Sequence, residues 1–309
     1  MEKAVVDKLK YLINKKKSLD EICFALDFEP NEVFEYMKYL KIMGYDYDFI
    51  NGVPFKLDPN IGNYKIDDSV GNVINVCFVS DPHLGSIYDR PDVLQYVYDE
   101  CDRRGVELIF CSGDYTDGFY PDRPSYMKQQ KVHGYEQMLD YVLNVHPYSR
   151  YIKFYTISGN HDNTFTFSDN KDICEEVSKL RDDFIYLGKD CADVNLGNLS
   201  LRLYHGYGKA RDTLCERARK YYDSLDDENI PDIIQMGHIH HSFYTTFDYT
   251  HVFQTAALTD QISYIGKRNM GIERSCWFAQ IEVDDYGNII NVIPELVSFG
   301  PKLVKERKL

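Results

Sequence analysis

The sequence predicts an α/β core preceded by a small helical module, and three observations predict it. From residue 73 onward, short apolar runs alternate with amphipathic stretches of helical period, the pattern of helices laid over a sheet. Five of those runs read as buried strands, and each stops on a residue able to bind a metal. The run at 75–80 ends at Asp81, with His83 two residues on. The run at 108–113 ends at Asp114, and that at 154–159 at Asn160, His161 and Asp162. The run at 201–204 ends at His205, and that at 233–237 at His238, with His240 two residues on. Ligand sites gather at the carboxyl ends of such strands. Third, residues 1 to 60 carry a different pattern, helical stretches followed by a hairpin.

In that module, Val5, Val6, Leu9, Leu12 and Ile13 fall on one helical face. Ser18-Leu-Asp-Glu21 matches a capping box and opens a second helix through Ile22, Cys23 and Leu26. Pro30 suits the first position of a third helix, lined by Val33, Met37 and Leu40, with Gly44 placed to stop it. Extended runs at 45–50 and 53–57 flank Asn51-Gly52, a strong two-residue hairpin turn. Three helices and a hairpin make a winged helix-turn-helix. Residues 61–72 are turn-rich and read as a connection. The core then occupies 73–309, with helices at 90–104, 131–144, 172–180 and 209–224. Strands follow at 243–247, 251–255, 277–283 and 289–297.

Bulk properties narrow the function classes. The chain has 309 residues, of which 44% are hydrophobic and 27% charged, enough for one core and a small extra domain. No run of 18 apolar residues offers a membrane span, and the polar N-terminus lacks the features of a signal peptide. Eight cysteines occur without any Cys-x-x-Cys, which reads as the reduced thiols of a cytoplasmic protein. The formal charge of −14 argues against a general nucleic-acid coat. It leaves room for a nucleic-acid enzyme, because divalent ions in a cleft invert the local field.

The ligand-bearing strand ends form ordered motifs: Asp81-Pro-His83, Gly113-Asp114-x-x-Asp117, Gly159-Asn-His-Asp162, His205-Gly206 and Gly237-His-Ile-His240. In an extended segment, residues i and i+2 point the same way, which would let Asp81/His83 and His238/His240 each present two ligands to one cavity. Carboxylates with imidazoles suit Mn, Fe, Zn, Co or Ni better than Ca or Mg.

This ordered set resembles the calcineurin-like metallophosphoesterase superfamily. The resemblance implies a four-layer α/β/β/α sandwich of two mixed sheets. It implies one divalent metal, manganese first among the candidates, held by Asp81, His83, Asp114 and His240. A second would be held by Asp114, Asn160, His205 and His238. Asp114 would bridge the two ions, and a bridging water that loses a proton would be the nucleophile. His161 would act as general acid or phosphate contact, with Asp162 orienting its imidazole or raising its pKa. Asp117 would steer a histidine ligand from behind.

Other residues leave alternatives open. His133 and His146 read as surface or packing residues, His251 as structural, and His241 as a loop residue within reach of substrate. Tyr115, Tyr120, Tyr204 and Tyr207 lie near the motifs and either line a cleft or pack. Arg202, Lys209, Arg211, Arg217, Arg219 and Lys220 cluster in sequence around His205, either as a solvated face or as a track for a phosphodiester backbone. The third helix of the module carries Glu32 and Glu35 against Lys38 and Lys41, so docking to nucleic acid stands beside a protein-contact role.

Asp81-Pro-His-Leu-Gly85 resembles the start of SbcD-type DNA repair exonucleases, which implies a nuclease acting on DNA or RNA. Fewer than 70 residues follow His241, and they read as closing strands where such nucleases carry a capping domain. The alternatives are a phosphatase or phosphodiesterase of nucleotides or phosphoproteins, and a non-catalytic binding module built on the winged helix.

Overall fold

The computed structural model describes residues 3–15, 17–42, 47–50, 53–56, 62–66, 72–206, 213–225, 230–260 and 273–300. By contact the chain divides into two compact units, Met1–Asn60 and Ile61–Leu309. No described helix is long and apolar enough to cross a membrane.

The first unit contains α1 (Lys3–Asn14), α2 (Leu19–Leu26), α3 (Pro30–Ile42), β1 (Tyr47–Ile50) and β2 (Val53–Lys56). Val6, Leu9 and Ile13 of α1 close on Ile22 of α2 and on Val33, Met37 and Leu40 of α3. The capping box forms: the Ser18 hydroxyl accepts from the Glu21 N–H, and the Glu21 carboxylate accepts from the Ser18 N–H. The two strands pair antiparallel with Ile50 opposite Val53. Gly44 and the Asn51-Gly52 turn lie outside the described residues.

The second unit runs β3 (Gly62–Ile66), β4 (Val73–Val79), α4 (Pro91–Arg104), β5 (Leu108–Cys111), α5 (Pro124–Met127), α6 (Tyr135–Val145), β6 (Lys153–Ser158), α7 (Asn163–Asp169), α8 (Ile173–Leu180), β7 (Phe184–Lys189), β8 (Cys191–Leu196), β9 (Leu199–Tyr204), α9 (Leu214–Tyr222), β10 (Ile233–Met236), β11 (Phe243–Phe247), β12 (Thr250–Gln254), β13 (Ser275–Val283) and β14 (Ile289–Ser298). Two six-stranded mixed sheets result, ordered β14-β13-β4-β5-β6-β7 and β11-β12-β10-β9-β8-β3. Strands β4 to β7 run parallel in the first, and β9, β10 and β12 in the second.

Alternation along the strands decides which faces meet. Val76, Phe78, Phe110 and Ile157 point from the first sheet toward Leu201, Leu203, Ile233 and Phe253 of the second. Phe78 and Phe253 place their rings 4.9 Å apart, and each such buried aromatic contributes about 1.5–3 kcal/mol. The opposite face of the first sheet, with Cys77, Val79, Ile109 and Cys111, is covered by Val93, Leu94 and Val97 of α4, Met138 and Val142 of α6, and Ile173 and Val177 of α8. Ala218, Tyr221 and Tyr222 of α9 cover Ile234, Met236 and Val252 on the outer face of the second sheet. The layers are therefore α/β/β/α.

Three strands of the second unit, β3, β7 and β8, have no counterpart in the sequence reading. Residues 62–66, read as part of a connection, form β3, which pairs parallel with β8 and lays Tyr64 and Ile66 against the inter-sheet core. The Tyr64-Lys-Ile66 alternation is a strand signal, and the turn residues before it, Asp58-Pro-Asn60 and Gly62-Asn63, overshadowed it. Strand β7 had no counterpart either: it is an edge strand, and a register shift opposite Thr156/Ile157 beside Gly188 interrupts its alternation.

His146 at the end of α6 is a packing residue, 4% exposed. Its Nε2 lies 2.8 Å from the Tyr98 hydroxyl and its Nδ1 3.0 Å from the Tyr115 hydroxyl, behind the loop that carries Asp114. Burial, aided by the Arg181 charge, holds its pKa well below the ordinary histidine value. A depressed folded-state pKa means that the unfolded chain takes up the proton first. The stabilisation is therefore complete above the unfolded value of about 6.5 and is lost as pH falls from there toward the folded value, at up to about 1.4 kcal/mol per pH unit. Urea titrations from pH 7.5 to 5.5 are expected to show this slope in the native chain and a shallower one in His146→Gln.

Candidate metal centre

The five strand ends converge on one edge of the sandwich. Asp81 and His83 follow β4, Asp114 follows β5 and Asn160 follows β6, all from the first sheet. His205 follows β9, and His238 and His240 follow β10, from the second. Five of these seven residues turn the chain in the left-handed region: Asp81 (φ 51°), His83 (46°), Asp114 (48°), His238 (71°) and His240 (58°). Side chains beyond glycine rarely adopt it, and such strain collects at functional sites. The paired motifs are thus not extended, and the i, i+2 argument fails; the pairs converge because each residue sits on its own left-handed turn. Gly159 answers to crowding: a Cβ there would strike the Asp114 backbone and carboxylate and come within 2.8 Å of the His205 ring.

The side chains form two groups. In the first, Asp81 Oδ1 lies 3.2 Å from His240 Nε2 and 3.7 Å from His83 Nε2, and the two imidazole nitrogens are 3.2 Å apart. In the second, His205 Nε2 lies 3.2 Å from Asp114 Oδ2, 3.1 Å from Asn160 Oδ1 and 3.3 Å from His238 Nδ1. Asp114 stands between them. Its Oδ1 accepts from the His161 N–H at 2.7 Å, which leaves Oδ2 facing His205 and, at 3.9 Å, His83 Nε2.

Supporting bonds fix which atom each group presents. His205 Nδ1–H donates to the Ser112 carbonyl at 2.7 Å, turning Nε2 inward. His83 Nδ1 lies 3.3 Å from Asp117 Oδ1, an ion-pair contact without hydrogen-bond geometry, and this too leaves Nε2 inward. Asp81 Oδ2 accepts from the His238 N–H at 2.9 Å and from the Ser80 hydroxyl. Such second partners fix tautomer and ring orientation in metal sites.

The donor set fits divalent transition metals. Atoms bound to one ion at about 2.0–2.1 Å in tetrahedral or octahedral geometry lie about 3.0–3.4 Å from one another, and most separations above fall there. Asp81 Oδ1 is buried and makes no hydrogen bond among the described residues, so it is a carboxylate oxygen aimed into two imidazole nitrogens. The charges agree. Burial opposes ionisation of Asp81 and Asp114, yet the neighbouring imidazoles hold both carboxyls below the usual range. Burial likewise opposes charge on the histidines, but Asp117 and Asp81 raise His83 well above its ordinary value, and Asp114 raises His205 to about 10. His238 goes the other way, to about 4, through burial and the charge of His205. Protons on His83 and His205 thus balance carboxylates that divalent ions would balance when bound.

The remaining predicted residues divide. Asp117 sits behind His83 and also meets His161, whose Nδ1–H donates to the Asp117 carbonyl at 3.0 Å. That leaves His161 Nε2 as the ring atom available to a bound molecule, on a side chain 16% exposed. Asp162 does not touch that ring. Its carboxylate accepts from the N–H groups of Tyr115, Thr116 and Gly159 and from the Thr116 hydroxyl, at 2.7–3.0 Å. It ties the Asp114 loop to the Asn160 loop, and the expectation that it orients the His161 imidazole is corrected: four donors occupy its acceptor sites. Burial and the charge of Asp114 push it up to about 7. His241 turns to Glu273, 3.3 Å away, and takes no part in either group. Arg211 lies outside the described residues, as do Lys209 and Tyr207.

Sequence reasoning missed a layer of support. Gln235 in β10 donates to the carbonyls of Val79 and Phe110 across the sandwich, at 2.7 and 3.0 Å, and so ties the site-bearing ends of the two sheets. The Ser112 hydroxyl donates to that of Ser80 beneath Asp81. The available signal was a polar residue inside each apolar run. Glu273, far away in sequence, offered none.

A family model for calcineurin-like phosphoesterases matches residues 74–265. No curated protein matches the chain. Among solved structures, an archaeal phosphodiesterase is 13% identical, covering 72% of this chain and 100% of its own, with a TM-score of 0.41. Vps29 from Entamoeba histolytica, complexed with zinc, is 14% identical over 74% of this chain and 100% of its own, with a TM-score of 0.38. A phosphoesterase-like protein from Streptococcus pneumoniae is 15% identical over 74% of this chain and 98% of its own, with a TM-score of 0.36. The family match spans more than half of the chain, every strand end that carries a candidate metal ligand lies within it, and the chain belongs to the calcineurin-like phosphoesterase family.

Proposed function

We propose that this chain is a two-metal phosphodiesterase that cleaves DNA or RNA. The observation that carries the reading is the Asp114 carboxylate, one oxygen anchored and the other directed between two imidazole-bearing groups. Asp81, His83, Asp114 and His240 would hold one ion, and Asp114, Asn160, His205 and His238 the other. Bound divalent ions, manganese first among them, supply Lewis-acid polarisation of phosphoryl oxygens and a water activated at neutral pH. Two divalent charges against two carboxylates leave the centre positive within a chain of formal charge −14, which favours an anionic phosphate there.

The chain's own residues then set geometry and protons. Asp117 fixes the His161 ring through its backbone carbonyl, so Nε2 can hold a phosphate oxygen or give a proton to the departing one. Left-handed backbone at Asp81, His83, Asp114, His238 and His240 keeps the ligand atoms in place before substrate arrives. The start Asp81-Pro-His-Leu-Gly85 supports the nuclease branch of the reading less than it did in sequence, because Gly85 has its own steric cause. It sits at φ 90°, and a Cβ would meet Met138 at 2.5 Å. The first unit, read as a winged helix-turn-helix, is proposed to contact nucleic acid or a protein partner.

With Mn²⁺ added, the protein is expected to cleave a bis-aryl phosphodiester and single-stranded oligonucleotides. His161→Ala should lower kcat by about 10²–10⁴-fold with metal content unchanged. Hydrolysis of monoesters alone would point to the phosphatase alternative and against the nuclease. Failure to retain any transition metal after reconstitution would remove the enzymatic reading altogether.

A further inference from the structure

Beside the centre, a path of rings leads outward. His83 and His161 meet edge to face with centroids 4.5 Å apart; His161 and Tyr120 follow at 5.5 Å, and Tyr120 and Tyr126 at 5.1 Å. The guanidinium of Arg123 lies 5.4 Å from the Tyr120 centroid and 5.7 Å from that of Tyr126. The segment bearing these residues is fixed at both ends. Gly118 O accepts from Gln130 Nε2, Phe119 N–H donates to the Thr164 hydroxyl, Gln129 O accepts from Ile87 N–H, and Lys131 N–H donates to Gly85 O. Between those ties, Tyr120 and Tyr126 are half-buried and Arg123 is exposed.

These rings differ from the packing tyrosines. Tyr115 is fully buried, and its hydroxyl is bonded to His146. The Tyr120 hydroxyl makes no hydrogen bond among the described residues, although it stands within the electrostatic reach of the centre. Burial first, then the charges of Asp114 and Asp117, push its pKa above the ordinary value. No carboxylate of a described residue pairs with Arg123. Two half-buried aromatic rings and a cation with no carboxylate partner among the described residues, next to the proposed phosphate-binding centre, are what a stacked base with its flanking phosphate requires.

We infer that Tyr120 and Tyr126, with Arg123 at the rim, form a stacking platform for an unpaired nucleobase that flanks the scissile phosphate on the His161 side. The inference rests on the phosphodiesterase reading above and narrows its substrate to strands with an unpaired base at that position.

The test compares a short single-stranded deoxyoligonucleotide with the same strand carrying an abasic sugar at each position next to the cleaved bond, in Mn²⁺. The wild-type protein is expected to show a KM about tenfold lower for the base-bearing strand at one of those positions. Tyr120→Leu and Tyr126→Leu should erase that ratio, Tyr120→Phe should keep it, and Arg123→Gln should raise KM on both strands. Tyr126→Leu covers the case in which Tyr120→Leu misfolds. A wild-type ratio of one, or a ratio that survives the Tyr126→Leu change, overturns the platform. If the wild-type protein cuts neither strand, the phosphodiesterase reading fails separately, and 2-aminopurine at the same position, in Ca²⁺, reads the stack without cleavage. Its fluorescence must fall on binding the wild-type protein and hold with Tyr126→Leu; unquenched fluorescence with the wild type overturns the platform.

Discussion

Asp114→Asn is expected to empty both metal positions together and to lower kcat by about 10³-fold or more, the order lost when one charge-stabilising group leaves an active site. The substitution is gentle on the backbone, because asparagine tolerates the left-handed turn that Asp114 occupies at φ 48°. An amide oxygen can still accept from the His161 N–H. What disappears is the negative oxygen that faces His205 at 3.2 Å and His83 at 3.9 Å. Elemental analysis of the reconstituted protein, beside kcat at saturating metal, checks this. Asp81→Asn serves as the contrast, since its orphaned Oδ1 faces only His83 and His240 and its loss should spare the second group. An Asp114→Asn protein that keeps both ions would mean that the carboxylate does not bridge.

Asp162→Ala is expected to cost about 3–5 kcal/mol of stability, because three backbone N–H groups and a hydroxyl lose their buried acceptor and each stranded donor costs about 1–3 kcal/mol before the loops relax. For a domain of this size that corresponds to a fall in Tm of about 10 °C. Asp162→Asn should lie between, since an amide oxygen can replace part of the acceptor set and its NH₂ cannot. Urea unfolding with and without metal gives the number. If Asp162→Asn instead left stability unchanged while kcat collapsed, the residue would belong to the chemistry after all, as its place next to His161 in the sequence suggests.

The contrast between neighbours shows what the sequence can carry. The apolar runs at β4, β5, β6, β9 and β10 were legible because a buried strand has little choice of residue type, and its ends were marked by Asp, Asn and His. The capping box of α2 was legible because both partners lie within four residues. Asp162 was misread because its partners, at 115, 116 and 159, come from two loops that only the fold brings together. The shape of the ligand turns was also hidden. Alternation belongs to extended chain, and the left-handed φ values at Asp81 and His83 follow from packing against the Asp114 loop, where His83 N–H donates to Asp114 O at 3.1 Å. Strand β3 was lost to turn residues around it, and the ring path beyond His161 to the commonness of tyrosine in this chain.

Each candidate ion position draws its side chains from both sheets: Asp81 and His83 with His240, and Asp114 and Asn160 with His205 and His238. An ion bound there is a cross-link. It joins segments more than a hundred residues apart in the first group, and it closes the open edge of the sandwich where the inter-sheet hydrocarbon gives way to polar loops. Ions that bind only this closed arrangement stabilise it in proportion to the logarithm of their concentration, so loading and folding form one equilibrium. A chelator would then act as a local denaturant at that edge, and the metal supply during synthesis would set how much of the chain reaches its final form.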